Sequence, residues 1–335
     1  MPRQIAGRVL TDITRLHDKQ VKLLQKYFLN EQATSPLHAA VVKADDRYTP
    51  LDLFGANKNE LATDEEYNHK VKRQWSQKAL HGRHPCELSQ QYTYADVEAS
   101  NKWLTSADLF AETEGFLTEM HDQVILKRNY KKYILKQPNT DELCRRCGKE
   151  SETIQHITSA CEQLAPTEYV KRHDGVAKVV HQKLAEAAEM IEDKSPYYKY
   201  TPDNVLENDN FELYWNRSII TDKTIPSNRP DITLMNKKTK NTFLIDIAVP
   251  NTYNLAKTIT AKQNNYQEPA NERCAMWKQN AAQVIPTVIS STGVIPKSLT
   301  QSLKRLNLYP NTYIQMQKSV IIDTCSIVRN FLNYK

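Results

Sequence analysis

The stretch Asn228–Tyr266, NRPDITLMNKKTKNTFLIDIAVPNTYNLAKTITAKQNNY, decides how the rest of the chain is read. Two short apolar runs, Ile232–Met235 and Phe243–Val249, flank the polar hexapeptide Asn236–Asn241, the pattern of a β-hairpin with a multi-residue loop. Centring that loop between Lys238 and Thr239 sets Asn236 against Asn241 and Leu234 against Phe243. Counted outward, the same register sets Asp231 against Asp246. Opposed residues of an antiparallel pair share a face, with Cβ atoms about 4.5–5.5 Å apart. Two like charges there oppose pairing, so a cation between them is the natural explanation. A one-residue slip or a turn centred elsewhere puts the carboxylates on opposite faces instead.

Beyond Pro250 the pattern turns helical, with Leu255, Ile259, Lys262 and Tyr266 along one stripe. A lysine inside an apolar stripe facing a sheet is unusual, although it can snorkel toward solvent. A helix that follows the second strand and packs on the sheet would deliver its ammonium beside the two aspartates. Two carboxylates and a lysine are the parts needed for metal-assisted phosphodiester hydrolysis.

At 335 residues the chain has room for two or three units and a substantial core. A 40% hydrophobic and 25% charged composition is that of a globular protein in water. The net charge of +6 permits nucleic-acid binding without requiring it. No glycine-rich phosphate loop is present, no apolar run approaches the length of a membrane span, and Met1–Leu10 lacks a signal-peptide core. Six cysteines, three of them clustered, point to a reducing compartment and a metal site rather than a disulfide scaffold.

Residues 1–138 read as a helical, basic region. Ile13, Leu16, Leu23, Leu24, Tyr27 and Phe28 form an amphipathic stripe, and Pro36 and Pro50 bound a short segment. Asn57–Glu66 reads as a loop, Val71–Leu80 as a basic helix broken at Gly82 and Pro85, and Asp96–Trp103 and Glu114–Tyr133 as further helices. The last of these carries Lys127, Arg128, Lys131 and Lys132, interleaved with tyrosines, a composition suited to phosphates and stacked bases or simply to a solvated face. Tyr94-Ala95-Asp96-Val97 resembles the Tyr-x-Asp-Asp signature of reverse transcriptases, but it lacks the second aspartate and reads as a helix N-terminus.

Residues 139–165 hold Cys144-x2-Cys147-x8-His156-x4-Cys161, three thiolates and an imidazole that fill the four tetrahedral positions of a structural zinc. Cys86, Cys274 and Cys325 are isolated. Residues 166–335 form the third region. It opens with a helix, Pro166–Ile191, whose His173 follows Lys171 and Arg172 and can reach a phosphate or simply lie on the surface. A period-two strand, Phe211–Trp215, precedes the hairpin. Val284–Ser290 reads as a strand placed at a sheet edge by Pro286, and two helices close the chain.

The order αβββαβ, with Pro230-Asp231 on one strand, Asp246 on the next and a lysine on the following helix, resembles the restriction-endonuclease-like α/β core. Further segments resemble one family: the CCHC zinc knuckle, Tyr169-x2-Arg172-His173, Asn228-Arg229-Pro230-Asp231-Ile232, Ile245-Asp246-Ile247-Ala248-x-Pro250 and Ser291-Thr292-Gly293-Val294. That family is the C-terminal part of non-LTR retrotransposon polyproteins with a restriction-like endonuclease. Leu80-His81-Gly82-Arg83 and Glu112-Thr113-Glu114-Gly115-Phe116 resemble its linker, so the likeness covers most of the chain.

The resemblance implies a nuclease that nicks chromosomal DNA so that element RNA can be copied from the new 3′ end. It implies catalytic roles for Asp231, Asp246, Lys262 and Tyr266, with Mg2+ or Mn2+ on the two aspartates. The candidate nucleic-acid contacts are Lys127, Arg128, Lys131 and Lys132 of the basic run, with Arg172, His173 and Arg229. Location would be nuclear, or otherwise cytoplasmic, and neither secreted nor in a membrane. No polymerase is expected in this chain. The family's helix motif, Glu-Lys-x-x-Lys-Tyr, reads Ala261-Lys262-Gln263-Asn264-Asn265-Tyr266 here, so the second lysine is missing. Asn216 stands where an aspartate is usual. Pro269 falls inside the helix, which is expected to kink or restart near Ala270. These departures fit a weak or impaired nuclease that keeps nucleic-acid binding.

Overall fold

The computed structural model describes residues 12–45, 62–78, 80, 83–88, 93–192, 195–218, 228–308 and 311–334; the side chains at 76, 83, 266–269 and 271–275 lie outside the description. Pro50, residues 57–61, Gly82, and the side chains of Tyr266 and Cys274 therefore fall outside it. The chain divides into two compact units, Met1–Gln77 and Lys78–Lys335.

The first unit contains α1 (Ile13–Glu31), α2 (Pro36–Ala44) and α3 (Asp64–Ser76). Side chains cap each start: Asp12 accepts from the Arg15 amide, and Ser35 accepts from that of His38 ahead of a proline at the first turn. Thr63 and Glu66 form a reciprocal capping box, which starts α3 within the expected loop and seven residues before the expected helix. No residue of α1 is buried, so its apolar stripe faces outward.

The second unit is mixed α/β. It begins with α4 (Arg83–Cys86), α5 (Val97–Asn101), α6 (Trp103–Ser106), α7 (Ala111–His121), α8 (Arg128–Tyr133) and α9 (Ile154–Ser159). Asp96 is the N-cap of α5, its carboxylate accepting from the Ala99 amide at 3.0 Å, so the Tyr94 tetrapeptide is a helix start. The helix expected over Glu114–Tyr133 is two helices, because Gln123 adopts φ +63 and turns the chain out of α7. A π turn, Ala165–Tyr169, leads into α10 (Val170–Ala187).

Five strands then build one sheet: β1 (Val205–Glu207), β2 (Phe211–Trp215), β3 (Ile232–Asn236), β4 (Asn241–Ala248) and β5 (Ala281–Val288), in that spatial order. The first four run antiparallel, and β5 lies parallel to β4. The connection from β4 to β5 is a 3-10 turn, Thr252–Asn254, followed by α11 (Leu255–Met276). The sequence pattern misses β1, since a three-residue strand with one half-buried side chain has almost no periodicity. As expected, Phe211–Trp215 is a strand and β5, with Pro286, is an edge. The helix α11 continues through Pro269 as one element, without the expected restart. The chain ends in α12 (Lys297–Arg305) and α13 (Thr312–Leu332). None of the helices among the described residues is long and apolar enough to cross a membrane.

Alternation along the strands sorts the two faces of the sheet. Ile232, Ile245, Ile247 and Ile285 share a core with Val176, Val180 and Leu184 of α10. Ala248 and Val288 pack instead with Leu255 and Ile259 of α11. Asp246, two residues before Ala248, therefore points to the α11 side. A further core joins Cys144, Ile157 and Cys161 to Trp103, Leu117, Cys325, Val328 and Phe331. The turn after β5 depends on Gly293, which adopts φ +83; a Cβ there would lie 3.1 Å from the Ile321 side chain. Gln317 fixes this turn by donating to the Gly293 carbonyl at 2.7 Å. Gly293→Ala is expected to lower unfolding stability by about 1–3 kcal/mol in a denaturant titration, since strain and crowding act together; an unchanged midpoint would show that the turn relaxes freely.

Candidate functional site

The hairpin register is the expected one: Asn236 pairs with Asn241, Leu234 with Phe243 and Ile232 with Ile245. One step further out, Asp231 lies opposite Asp246. Asp246 is buried at 2% exposure, and the Lys262 ammonium reaches it at 2.6 Å. Leu255, fully buried, seats the start of α11, and Lys262 follows seven residues later, two turns along the same face. Asp231 is held from two directions through one oxygen. Its Oδ2 accepts from the Ile247 amide at 2.6 Å and from His173 Nε2 at 3.2 Å. The other ring nitrogen of His173 lies 3.0 Å from Asp174.

These contacts separate the two acids electrostatically. Burial, reinforced by the nearby Asp231 carboxylate and only partly offset by Lys262, pushes Asp246 up to about 6. Burial acts on Asp231 the same way, but the His173 hydrogen bond and charge, the Ile247 amide and Lys262 outweigh it and hold that carboxyl below its usual range. Burial opposes charge on His173, yet Asp231 and Asp174 together raise it to about 9. The result is a carboxylate pair flanked by two cationic side chains, one supplied by α10 and one by α11.

The other expected contact residues are distributed differently. Arg172 is 1% exposed and faces inward, donating to Thr324 Oγ1 at 3.1 Å and to the Val249 carbonyl at 3.5 Å, with the Tyr169 ring 5.1 Å away. A surface role for it is therefore replaced by a structural one. Lys127 is 3% exposed, donates to the Gln123 carbonyl at 2.7 Å, and is lowered to about 8 by burial. It closes the turn between α7 and α8 and is not a solvent-facing cation. Arg128 and Lys132 meet acids from the following loop, Asp141 at 3.7 Å and Glu142 at 3.5 Å, while Lys131 is half-buried on α8. Arg229 donates Nε to the Asn216 carbonyl at 2.9 Å, next to the acid pair in sequence. Asn216 itself adopts φ +48, a left-handed conformation that asparagine tolerates well.

A second cluster is fully assembled. The ligand atoms of Cys144, Cys147, His156 and Cys161 lie within 4.8 Å of one another and could hold a metal ion. The Cys144 and Cys161 sulfurs are 3.9 Å apart, close to the roughly 3.8 Å that tetrahedral thiolates about 2.3 Å from a common ion require. His156 Nε2 lies 3.3 Å from Cys147 Sγ, and its Nδ1 meets Glu150 at 3.1 Å, an outer partner that fixes the ring orientation. Gly148, at φ +66, makes the tight turn after Cys147. Glu152, fully buried, braces this loop by accepting from Arg145 and from the Arg128 amide. Sequence reasoning finds the four clustered residues from their spacing. It misses Glu150, Glu152 and the His173–Asp231 contact, whose partners no local pattern connects.

The chain matches no protein-family model and no curated protein with which it was compared. One tightly bound metal ion per chain is expected in freshly reduced protein, with Cys147→Ser lowering that stoichiometry. Elemental analysis after dialysis checks this, and a metal content near zero in the unaltered protein would refute it.

Proposed function

We propose that this chain is the C-terminal part of a non-LTR retrotransposon protein, with a restriction-like, metal-dependent endonuclease that nicks target DNA. The observation that carries the reading is the convergence of Asp231, Asp246 and Lys262 at one end of the hairpin, with the ammonium 2.6 Å from the buried acid. Paired carboxylate oxygens suit a hard divalent cation, Mg2+ or Mn2+. Bound there, the cation supplies Lewis acidity and an activated water. The residues of the chain hold the carboxylates in place and bring positive charge from Lys262 to the scissile phosphate as charge develops. Tyr266 belongs to the same motif by resemblance. The helix α10, the strands β2–β4, the helix α11 and the strand β5 follow the αβββαβ order of that fold, with β1 as an added edge.

The Cys144/Cys147/His156/Cys161 cluster is assigned to structural zinc, since three thiolates and an imidazole leave no open position. Target DNA and element RNA are the proposed partners, in the nucleus, with Lys131, Arg128, Lys132 and Arg229 as candidate phosphate contacts. A second reading, a nucleic-acid-binding remnant with an impaired nuclease, draws on Ala261 and Asn265. Both are exposed on α11 where the resembling family carries a glutamate and a lysine.

Nicking of supercoiled plasmid with Mg2+ or Mn2+ separates the readings. Slow, metal-dependent nicking that Asp246→Ala abolishes is expected. Asn265→Lys should raise the rate, because a missing transition-state contact typically costs roughly 10²–10³-fold. Nicking unaffected by Asp246→Ala would overturn the site, and absence of nicking together with retained DNA binding would favour the remnant. Primer extension on an RNA template should stay at background.

A further inference from the structure

His173 occupies a position that neither a surface residue nor a phosphate ligand would require. Its Nε2 lies 3.2 Å from Asp231 Oδ2 and its Nδ1 3.0 Å from Asp174 Oδ1, so both nitrogens are committed to carboxylates. The ring is 28% exposed. Binding a phosphate would cost it one of these two contacts. The Ile247 amide reaches the same Asp231 oxygen at 2.6 Å, so two donors converge on Oδ2. The preceding residue, Arg172, is locked inside by Thr324 and the Val249 carbonyl, which leaves the first turns of α10 little freedom to drift.

We propose that His173 is a positioning residue for the acid pair: it anchors Oδ2 of Asp231, so that Oδ1 is presented to a divalent cation shared with Asp246. The proposal rests on the nuclease reading above and deepens it. Carboxylates that ligate metals are ordinarily held by hydrogen bonds of this kind, and removing such a partner weakens metal affinity or activity by roughly 10–100-fold. Asp174 extends the arrangement outward: its carboxylate, 44% exposed, fixes the ring from the solvent side. The chain of contacts Asp174–His173–Asp231 therefore runs from the surface to the site, much as outer carboxylates orient ligating imidazoles.

The test uses the full chain with its CCHC metal retained and Mn2+ as the probe. Mn2+ binding is read from the loss of the free-ion electron paramagnetic resonance signal, and nicking is measured across a Mn2+ titration. His173→Ala is expected to raise the half-saturating Mn2+ concentration about 10–100-fold, with the rate at saturating Mn2+ within a few-fold of the unaltered protein. His173→Gln, which keeps a donor, should recover part of the loss. Asp174→Ala should shift the curve in the same direction by a smaller factor, and being at the surface it decides the matter if His173→Ala fails to fold.

A Mn2+ curve for His173→Ala, or for Asp174→Ala where that variant decides, overlaying that of the unaltered protein would overturn the proposal. So would reduced DNA affinity in metal-free buffer with an unshifted Mn2+ curve, which would make His173 a phosphate ligand. If the unaltered protein binds no Mn2+ in a manner lost in Asp246→Ala, the nuclease reading fails first and the proposal falls with it. That outcome is distinguishable, because it is visible before any His173 variant is measured.

Discussion

A carboxylate shut off from water must be compensated, and the arrangement of the sheet half follows from how Asp246 is compensated. Moving an ionised carboxylate into the interior costs several kcal/mol unless a partner accompanies it. Asp246 is 2% exposed on a central stretch of β4, between Ile245 and Ile247 that face the other core. The Lys262 ammonium at 2.6 Å supplies part of that compensation. That contact requires α11 to leave β4 through a short turn and return across the sheet, with Leu255 buried as its anchor. The parallel placement of β5 beside β4 is the consequence, since a strand reached through such a crossover returns in the same direction.

The first turns of α10 perform the matching task for Asp231 and also meet the loop that carries the Cys/His cluster. Tyr169 donates its hydroxyl to the Ile157 carbonyl at 2.7 Å and accepts from the Cys161 amide at 3.2 Å, beside His156 and at Cys161, two of the four clustered Cys/His residues. Three residues on, Arg172 spans to α13 and to the end of β4, and His173 follows at Asp231. One helical turn thus touches both candidate centres. A buried guanidinium of this kind is held by hydrogen bonds to neutral oxygens and by an aromatic face, a costly arrangement that is kept only where the surrounding packing determines it.

The elements whose cause is local were legible in the sequence. The symmetric polar loop Asn236–Asn241 and period-two alternation fix the hairpin register, and the seven-residue spacing from Leu255 to Lys262 fixes which helix face turns inward. The Cys-x2-Cys pair and its His and Cys partners are equally local. What escaped depends on distant partners. β1 exists because it pairs with β2, not because Val205-Leu206-Glu207 favours a strand. Arg172 and Lys127 have the same charge as their exposed neighbours, and only Thr324 or the Gln123 carbonyl reveals that they are buried. The His173–Asp231 contact joins residues 58 apart in the chain. The start of α3 is different: Thr63 and Glu66 are a local capping signal, hidden by the polar character of the first turn.

The most direct measurement of whether Asp231 and Asp246 form a cation site is anomalous diffraction from a crystal soaked in Mn2+. A peak within coordination distance of one carboxylate oxygen of each acid, about 2.0–2.6 Å, is expected, with Lys262 moved off Asp246 toward the substrate side. No peak at saturating Mn2+, with Lys262 still paired to Asp246, would contradict it and leave the three residues as a structural charge cluster.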